Sequence, residues 1–437
     1  TGSCGTSADV SGTLDVSAGA IFSPAAAVVL NSGAAAGAVT GAGTLRVTRT
    51  AATPDLVNQY RFATYTLSGL TVDYTGAGAQ TVNSTVGSYG ALVLSGSGTK
   101  TLEGAVTDNG TLTSAAGVTL ADAGFTLTVK GHVSHAGTHS GAGKILLAGT
   151  LPQTLSGAGS YHNLEVNNAG GVSLNNAVPV NGALTLTAGL LTTGAHAVQL
   201  AETATATRAG GWVNGYVQKA FHTGAGQTFT FPIGGSANYR PAAVSNLSVT
   251  TAGTLTAYVT ASAGNHPQIA TSGLNPSKTV LRYWTLTAGG GLAVANYDAT
   301  FTFIPSDVSP GADTGRFDVR KWDGGAWAET DDGVPPTATT TTATGLSSFS
   351  DFVMGEEQAS LMVVTLPGQS FTNGVGNSGA AIAQTAGAPF TLTLRAIGTF
   401  TNVDTSYSGL KTIRLSGPTN APNGSSPVYK YSVEFVN

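Results

Sequence analysis

Short segments in which apolar residues alternate with small or polar ones recur through the first 200 residues, about every 6 to 10 residues. Each segment is bounded by Gly, Asn or Ser, which favour turns. Alternation with a period of two is typical of a strand with one buried face. The segments include Ser11–Val16, Gly43–Val47, Ala91–Leu94, Phe125–Val129, Lys144–Leu147, Asn163–Val166 and Ala183–Leu186. Because strands this short are not stable alone, many of them must pair with one another.

An internal repeat runs through the same region. Residues 89–117 align with residues 161–189 without gaps, at an offset of 72. The matches fall on apolar positions and turn residues, and they include Tyr89 with Tyr161, Leu92 with Leu164, Leu102 with Leu174, and Asn109-Gly110 with Asn181-Gly182. This self-similarity predicts a β-solenoid, resembling a parallel β-helix, over residues 1–203. The alternative is a string of small antiparallel β-sandwiches.

Composition and charge narrow the class of protein. Only 9% of the residues are charged but 41% are hydrophobic, so the chain does not meet the compositional criterion for disorder. A net charge of -4 gives no electrostatic attraction to nucleic acid or anionic lipid. There is also no apolar run of about 18 residues, so we expect no membrane insertion. Cys4 is the only cysteine, and its role stays open between a free thiol and a link to another chain.

Aromatic residues become frequent after about residue 203 and predict a second module over residues 204–355. Its longer strands and aromatic side chains indicate an antiparallel β-sandwich. Within it, Trp322–Trp327 predicts a hairpin that turns at Asp-Gly-Gly. Glu356–Ser360 is then predicted as a linker, followed by a third, shorter antiparallel module over residues 361–437.

Two groups of segments carry resemblances to bacterial surface proteins. The first group is Gln153–Gly157, Tyr161–Asn167 and Asn181–Leu186. Through them, residues 78–200 resemble the Gly/Thr/Asn-rich repeats of large surface proteins and haemagglutinin-like adhesins. The second group is Trp212–Val217, Phe231–Gly234 with Tyr239–Pro241, Tyr283–Thr285 and Ser348–Phe352. Through them, the second module resembles one that is common in surface proteins of gliding bacteria exported by the type IX secretion system.

The third module is similar to bacterial immunoglobulin-like repeats. The motif segments are Pro389–Leu394, Asp404–Gly409, Thr412-Ile413, Pro422–Gly424 and Val433–Phe435. Such repeats run on for two more strands, so the immunoglobulin-like module is expected to be incomplete. An incomplete sheet has an open edge that another chain can pair with, and Thr1–Val16 is the candidate donor strand. The alternative is that the sequence stops early in a longer protein of which further domains follow.

Together the resemblances imply a cell-surface, secreted protein with a stiff stalk, filament or adhesin role, and they imply no catalytic residues. A second hypothesis is a glycan-binding module in which Trp322 and Trp327 stack on sugar rings. The third is a polysaccharide-active β-helix enzyme, which would need clustered acids with Arg or Lys on one face. The acids of the first 200 residues are scattered, although they could converge from different turns: Asp9, Asp15, Asp55, Asp73, Glu103, Asp108, Asp122 and Glu165. We therefore predict no catalytic residue and no cofactor.

Two clusters of side chains, one of histidines and one of aspartates, are candidate metal sites. His132, His135 and His139 could bind zinc if they met, but we predict them to be solvated histidines in turns. Asp323, Asp331 and Asp332 are weak calcium candidates, for which an ordinary hairpin turn is the simpler interpretation. We therefore predict no metal site.

Overall fold

The computed structural model describes residues 12–31, 36–50, 56–331, 333–385, 388–398, 401–404, 407–413, 420, 424–426, 428 and 432–436. The chain is all-β, with 52% strand and 3% helix. It divides into two compact units. The first unit comprises Thr1–Ser262, Trp284–Ala299 and Ser347–Phe349, and the second comprises Ala263–Tyr283, Thr300–Leu346 and Ser350–Asn437. Cys4, Asp9, Asp55, Asp332 and most of Thr1–Val16 lie outside the described residues.

Among the described residues up to 208, the strands have two to six residues except Leu190–Leu200, which has eleven, and one α-helix, Leu56–Gln59, lies among them. In chain order, β1–β12 are Thr13–Val16, Ile21–Phe22, Ala38–Gly41, Thr44–Val47, Thr64–Tyr65, Thr71–Tyr74, Gln80–Val82, Ala91–Leu94, Gly98–Leu102, Val106–Asp108, Leu112–Ser114 and Val118–Ala121. Strands β13–β23 are Thr126–Val129, Val133–His135, Thr138–Ser140, Lys144–Leu147, Gln153–Ser156, Leu164–Asn167, Val172–Leu174, Val178–Val180, Ala183–Ala188, Leu190–Leu200 and Thr205–Arg208.

Several longer strands follow, with three 3-10 turns at Ile269–Thr271, Pro305–Asp307 and Thr314–Arg316. Strands β24–β32 are Trp212–Phe221, Gly224–Phe231, Ile233–Gly234, Ala242–Thr251, Gly253–Val259, Leu274–Thr279, Trp284–Gly289, Ala293–Thr302 and Phe317–Trp322. Strands β33–β41 are Trp327–Glu329, Thr340–Leu346, Asp351–Glu357, Leu361–Thr365, Ser370–Thr372, Gly376–Ser378, Thr393–Ile397, Gly409–Thr412 and Ser432–Phe435.

The first unit is built on a parallel β-solenoid of about ten turns, as the repeat predicts. Its longest ladder pairs eleven strands in parallel: β2, β4, β6, β8, β11, β14, β17, β19, β22, β24 and β26. Three shorter parallel ladders complete the turns: β1-β3-β5, β7-β9-β12-β15 and β10-β13-β16-β18-β21-β23. The alternative of small antiparallel sandwiches is therefore wrong for this region.

The core of the solenoid consists of inward side chains that stack from turn to turn. One column of the long ladder contains only buried Leu and Val: Leu45, Val72, Leu92, Leu112, Val133, Leu155 and Leu174. Burying each such side chain stabilises the fold by about 1.5–3 kcal/mol. The outward neighbours are mostly Thr and Ser, with Arg46 and Asp73 among the exceptions, so period-two alternation separates core from surface.

The 72-residue repeat does not correspond to a whole number of turns. Matched positions on neighbouring strands of the long ladder lie 19 to 22 residues apart between β8 and β19. Three such turns fall short of 72 residues and four exceed it. Leu92 accordingly lies on β8 of the long ladder, whereas its repeat partner Leu164 lies on β18 of another ladder. The repeat therefore places similar inward apolar residues on two different faces of the solenoid.

Buried glutamines close the corners between turns. The Gln80 amide donates to the carbonyls of Val47 and Arg49 at 2.8 and 2.9 Å, and its Oε1 accepts from Gly76 N at 2.9 Å. Gln153 repeats this arrangement at another corner, donating to the carbonyls of Val129 and Gly131 and accepting from Gly149 N. Each glutamine thus satisfies backbone groups that would otherwise be buried without partners.

Close contact between turns also requires glycine at particular corners. Gly189 has φ of +80°, and a Cβ added there would lie 1.8 Å from the carbonyl oxygen of Asn168 in the adjacent turn. Any other residue would be strained in this conformation and would also force the turns apart.

The parallel ladder passes the boundary that we predict at residue 203. Strand β24 pairs in parallel with β22 and, through Val213 and Asn214, with β26. Its second half, Val217–Phe221, pairs antiparallel with β28. The same strand therefore ends the solenoid and begins the antiparallel sheets, which is why the change in composition does not coincide with the change in pairing.

The second unit contains antiparallel sheets. Strand β35 lies between β29 and β32, and β32 also pairs with β33. Further along the chain, β36 pairs with β39, β37 with β38, and β40 with β41. The predicted linker at Glu356–Ser360 is wrong at its start, because Glu356 and Glu357 end strand β35 and are 1% and 7% exposed. Both carboxylates accept hydrogen bonds from basic side chains, which allows them to be buried.

We expect Leu127→Ala to destabilise the solenoid by about 2–5 kcal/mol, because Leu127 is fully buried between Val106 and Ile145 of adjacent turns. The matched control is Thr128→Ala on the outward face of the same strand, for which we expect a change of about 0.5 kcal/mol or less. Urea unfolding followed by circular dichroism measures both. Equal losses from the two variants would mean that the inward and outward faces are wrongly assigned.

Candidate functional site

The tryptophans that we predict as glycan contacts lie at one hairpin of the second unit. Trp322 and Trp327 are paired residues of β32 and β33, and their ring centroids are 5.2 Å apart. The turn between them closes with a hydrogen bond from Asp323 N to Ala326 O at 3.0 Å. Gly324, with φ of +82°, supplies the left-handed conformation that the turn needs. The predicted hairpin is therefore confirmed.

His266, which the sequence analysis does not single out, lies at the centre of this aromatic cluster. Its ring centroid is 4.8 Å from that of Tyr283 and 5.0 Å from that of Trp327. Its Nδ1 accepts a hydrogen bond from Gln268 N at 3.1 Å, so Nε2 carries the proton and donates to Asp351 Oδ2 at 3.2 Å. No motif marks this histidine, because it precedes a proline in a segment without periodicity.

The two tryptophans differ in how much of the ring a ligand could reach. Trp327 is 9% exposed, packs against Ile269, Leu274 and Val353, and donates its Nε1 hydrogen to Gln268 O at 2.9 Å. Trp322 is half-buried at the edge of the same cluster. Trp322 and Tyr283, both half-buried, provide the accessible aromatic surface of this cluster.

The weak calcium candidates are not brought together. Asp323 lies in the hairpin turn, where its carboxylate accepts from Lys321. Asp331 follows the end of β33, away from that turn, and its carbonyl accepts from Thr344 N at 2.8 Å. Among the residues that the structure describes, no group of three or more His, Cys, Asp or Glu side chains is arranged to hold a metal ion.

The acids of the solenoid have separate hydrogen-bond partners. Asp73 accepts from Ser95 Oγ and lies 3.4 Å from Arg46 Nε, whereas Glu165 accepts from Lys144 and Thr187. Glu103 accepts from Asn83 and Ser84, and Asp15 is exposed. In the described part of the solenoid no two of these carboxylates share a partner, so the geometry provides no paired acid and base.

The prediction that the histidine cluster is solvated is wrong for two of its three members. His135 and His139 are 0% and 2% exposed, and only His132 is exposed to solvent as predicted. Both buried rings occupy inward positions of their strands: His135 is in register with Ser114, and His139 with Leu120. Inward alternation thus outweighs the preference of imidazole for water, because each ring finds a polar partner in a neighbouring turn.

Asp122 and His139 form a buried pair. The two residue types are those of the Asp–His pair in a catalytic triad, but the hydrogen bonds differ. His139 Nε2 donates to Asp122 Oδ2 at 2.9 Å, and Nδ1 accepts from His162 N at 3.3 Å. Asp122 Oδ1 accepts from Gly124 N and Gly143 N at 2.7 and 2.8 Å. Because both ring nitrogens are engaged, His139 has no free lone pair with which to accept a proton. The pair links adjacent turns instead.

Lys100 is a fully buried cation in the same ladder. Its Nζ donates to the carbonyl oxygens of Gly76 and Gly78 at 2.7 and 3.1 Å, and to Gln80 Oε1 at 2.7 Å. Burial lowers the pKa of Lys100 to about 8, while the charge of Asp73 opposes this shift. All three donors of the ammonium group are used by the corner that Gln80 closes.

Two other inward groups are only partly satisfied. Asp108 accepts from Gly110 N at 3.1 Å, but its Oδ2 has no hydrogen-bond partner in the described part of the chain. Burial raises the pKa of Asp108 to about 7. His135 Nε2 lies 3.1 Å from Ser160 O, its Nδ1 has no partner among those same residues, and burial lowers the pKa of this ring to about 4. Both groups therefore favour their neutral forms in the folded state.

In comparisons with known proteins, no family model, no curated protein and no solved structure matches this chain. The resemblances noted from the sequence therefore stay predictions. No helix within the described ranges is long and apolar enough to cross a membrane.

We expect Asp108→Asn to stabilise the protein at pH 8 by up to a few kcal/mol, because the folded state must otherwise ionise a buried carboxyl. The folded pKa is about 7 and the unfolded value is 3.8, so the gain should be full above pH 7 and vanish toward pH 4. Thermal unfolding of both forms across this range measures it.

Asp122→Asn is the matched control. It places an amide NH₂ against one of three hydrogen-bond donors, so we expect it to destabilise by about 1–3 kcal/mol. Stabilisation by Asp122→Asn, or a pH-independent effect of Asp108→Asn, would contradict this account of the buried carboxyls.

Proposed function

We propose that this chain is an extracellular structural protein of a bacterial surface, in which the solenoid is a stiff stalk or filament segment with an adhesive role. The observation that carries the proposal is the eleven-strand parallel ladder, with a column of buried Leu and Val over seven successive strands. Bending such a ladder would open backbone hydrogen bonds and expose the column. Stiffness therefore follows from the pairing itself and needs no disulfide.

The buried polar groups support a structural role over a catalytic one. The Asp122–His139 pair, the Lys100 ammonium and the two corner glutamines each bond to an adjacent turn. A catalytic acid or base needs a free lone pair or proton within reach of substrate. These groups instead use their hydrogen-bonding capacity inside the core.

The fold limits which part of Thr1–Val16 could be donated to another chain. Thr13–Val16 form β1 and pair in parallel with Ala38–Gly41. A donated strand would therefore have to come from the residues before position 12, which lie outside the described residues. Self-association through this segment stays a prediction.

The test of the proposed role uses the full chain displayed on a non-adherent bacterium. We expect cells that display the chain to be retained under flow better than cells that carry only the display anchor. The comparison is made on a set of biological and mineral surfaces, and at least one should show the difference. Leu127→Ala, displayed at an equal level, should reduce retention because it weakens the solenoid. The purified chain should release no sugar in a screen of polysaccharides. Sugar release without any gain in retention would favour the β-helix enzyme instead.

A second candidate function is glycan binding at the aromatic cluster, and the half-buried Trp322 beside Tyr283 and His266 favours it. An aromatic face that is partly open to solvent offers a flat apolar surface on which a sugar ring can stack. The side chain of Trp322, unlike that of Trp327, can be removed without opening the centre of the cluster.

We expect Trp322→Ala to lower binding on a glycan array about tenfold or more, if this cluster is a sugar site, because it removes the accessible ring. The matched control is Phe125→Ala, which removes an aromatic residue of the solenoid that is 39% exposed. Phe125→Ala should leave binding unchanged. Loss of binding in both variants, or in neither, would exclude the cluster as the sugar site.

A further inference from the structure

An acidic cleft of 670 Å³ lies in the second unit, where strands β32, β33 and β35 meet residues 402–404. Its lining includes six carboxylate side chains: Asp318, Glu329, Asp331, Glu356, Glu357 and Asp404. Amide and hydroxyl oxygens are contributed by Asn373, Asn402 and Thr330. None of the described residues that line the cleft is a histidine or cysteine. The available ligands are therefore all oxygens.

Glu357 gives stronger evidence for a bound ligand than the number of acidic residues in the cleft. Its side chain is 6% exposed, and its Oε1 accepts from Arg320 Nη2 at 2.5 Å. Its Oε2 is buried and has no hydrogen-bond partner among the residues described. A buried carboxylate oxygen without a partner is costly. Something other than the described residues is needed to satisfy it.

The basic side chains near the cleft do not balance its carboxylates. Arg320 is shared between Glu357 and Asp318, whose Oδ2 lies 3.5 Å from Nη2. Lys278 pairs with Glu356, and Arg316 pairs with Asp313. Among the ion pairs of the described residues, Arg320 and Lys278 are the cations that contact the six lining carboxylates, and Arg316 contacts an acid outside the cleft.

The excess negative charge affects the pKa of Glu357. Burial, opposed by the charge of Arg320 and aided by Asp318, Glu329 and Asp404, raises the pKa of Glu357 to about 7. Either a proton or a bound cation would relieve this repulsion. Only a cation would also engage the neighbouring carboxylate and amide oxygens.

The chemistry of the lining selects among cations. Oxygen ligands without imidazole or thiolate favour Ca²⁺ or Mg²⁺ over zinc or copper. Within the described ranges no three acidic side chains converge on one point, so the ion must combine one or two carboxylates with amide oxygens and water. Such an irregular set suits Ca²⁺, which accepts six to eight oxygens in flexible geometry, better than Mg²⁺ with its strict octahedron.

We propose that the acidic cleft binds Ca²⁺, with Glu357 Oε2 as a ligand and Glu329 and Asn402 as neighbouring oxygen donors. The Asn402 amide already donates to Glu329 Oε1, and Asp404 Oδ2 accepts from Ala359 N at 2.8 Å. The ion therefore adds to contacts that hold residues 402–404 against the antiparallel sheet. It acts as a brace within the second unit, and the site does not depend on the adhesive role proposed for the whole chain.

The affinity expected is low, because the ligands are not preorganised around one point. Calcium sites of extracellular modules have dissociation constants on the order of 10⁻⁴–10⁻³ M. We expect a binding isotherm with one Ca²⁺ per chain in this range, by calorimetric titration of the full chain. At a Ca²⁺ concentration ten times the dissociation constant, the unfolding temperature should rise by a few degrees.

Glu357→Gln and Glu329→Gln should each reduce the Ca²⁺-dependent rise in unfolding temperature at least twofold. The matched control, Asp323→Asn, removes an acid of the same unit outside the cleft and should keep the full rise. Glu357→Gln also removes a buried charge and can raise stability by itself, so the Ca²⁺-dependent increment is the quantity compared. No Ca²⁺-dependent rise, an equal rise with Na⁺ at matched ionic strength, or a full rise in both glutamine variants would overturn the proposal.

Discussion

Every inward side chain of the solenoid must stack on the side chain at the same position of the next turn, because the parallel ladder fixes the register. A slip of one residue would turn each inward position outward. The column from Leu45 to Leu174 satisfies this constraint with Leu and Val alone. The close turns at positions such as Gly189 follow from the same requirement, since adjacent turns can keep register only if their corners are compact.

The same constraint explains how the solenoid tolerates polar groups in its core. An inward polar side chain faces an equivalent position above and below, so a polar group in the adjacent turn can serve as its partner. Gln80, Gln153 and the Asp122–His139 pair use this geometry fully, and each adds a register-specific link. Ser114 and His135 are stacked neighbours that leave Oγ and Nδ1 without partners in the described chain. The core is therefore held in register by its satisfied polar groups and weakened locally by the others.

Much of the solenoid could be predicted because period-two alternation and turn residues are local properties of the sequence. Alternation also indicates which polar residues face inward. Lys100 and Leu102 lie two positions apart on one strand, as do Val133 and His135, so each polar residue shares the inward face of an apolar one. The meaning of the 72-residue offset, in contrast, depends on turn length, which local patterns do not reveal. The linker predicted at Glu356 and Glu357 is wrong because their partners Lys278 and Arg320 are distant in sequence, so no local pattern marks these glutamates as buried.

The two units handle buried charge in opposite ways. In the solenoid the buried ionisable groups are distributed along the ladders, and Lys100 and the Asp122–His139 pair each bond to a partner in an adjacent turn. In the second unit, six carboxylates converge on one cleft and share too few cations. Their mutual repulsion is not resolved within the described chain, so the protonation and ion content of the solvent must enter the stability of this unit directly. The low overall charge of the chain makes this concentration significant, since little other charge is present to screen it. The stability of the solenoid therefore depends on pH through single buried groups such as Asp108, whereas that of the second unit depends on the solvent through a whole group of carboxylates.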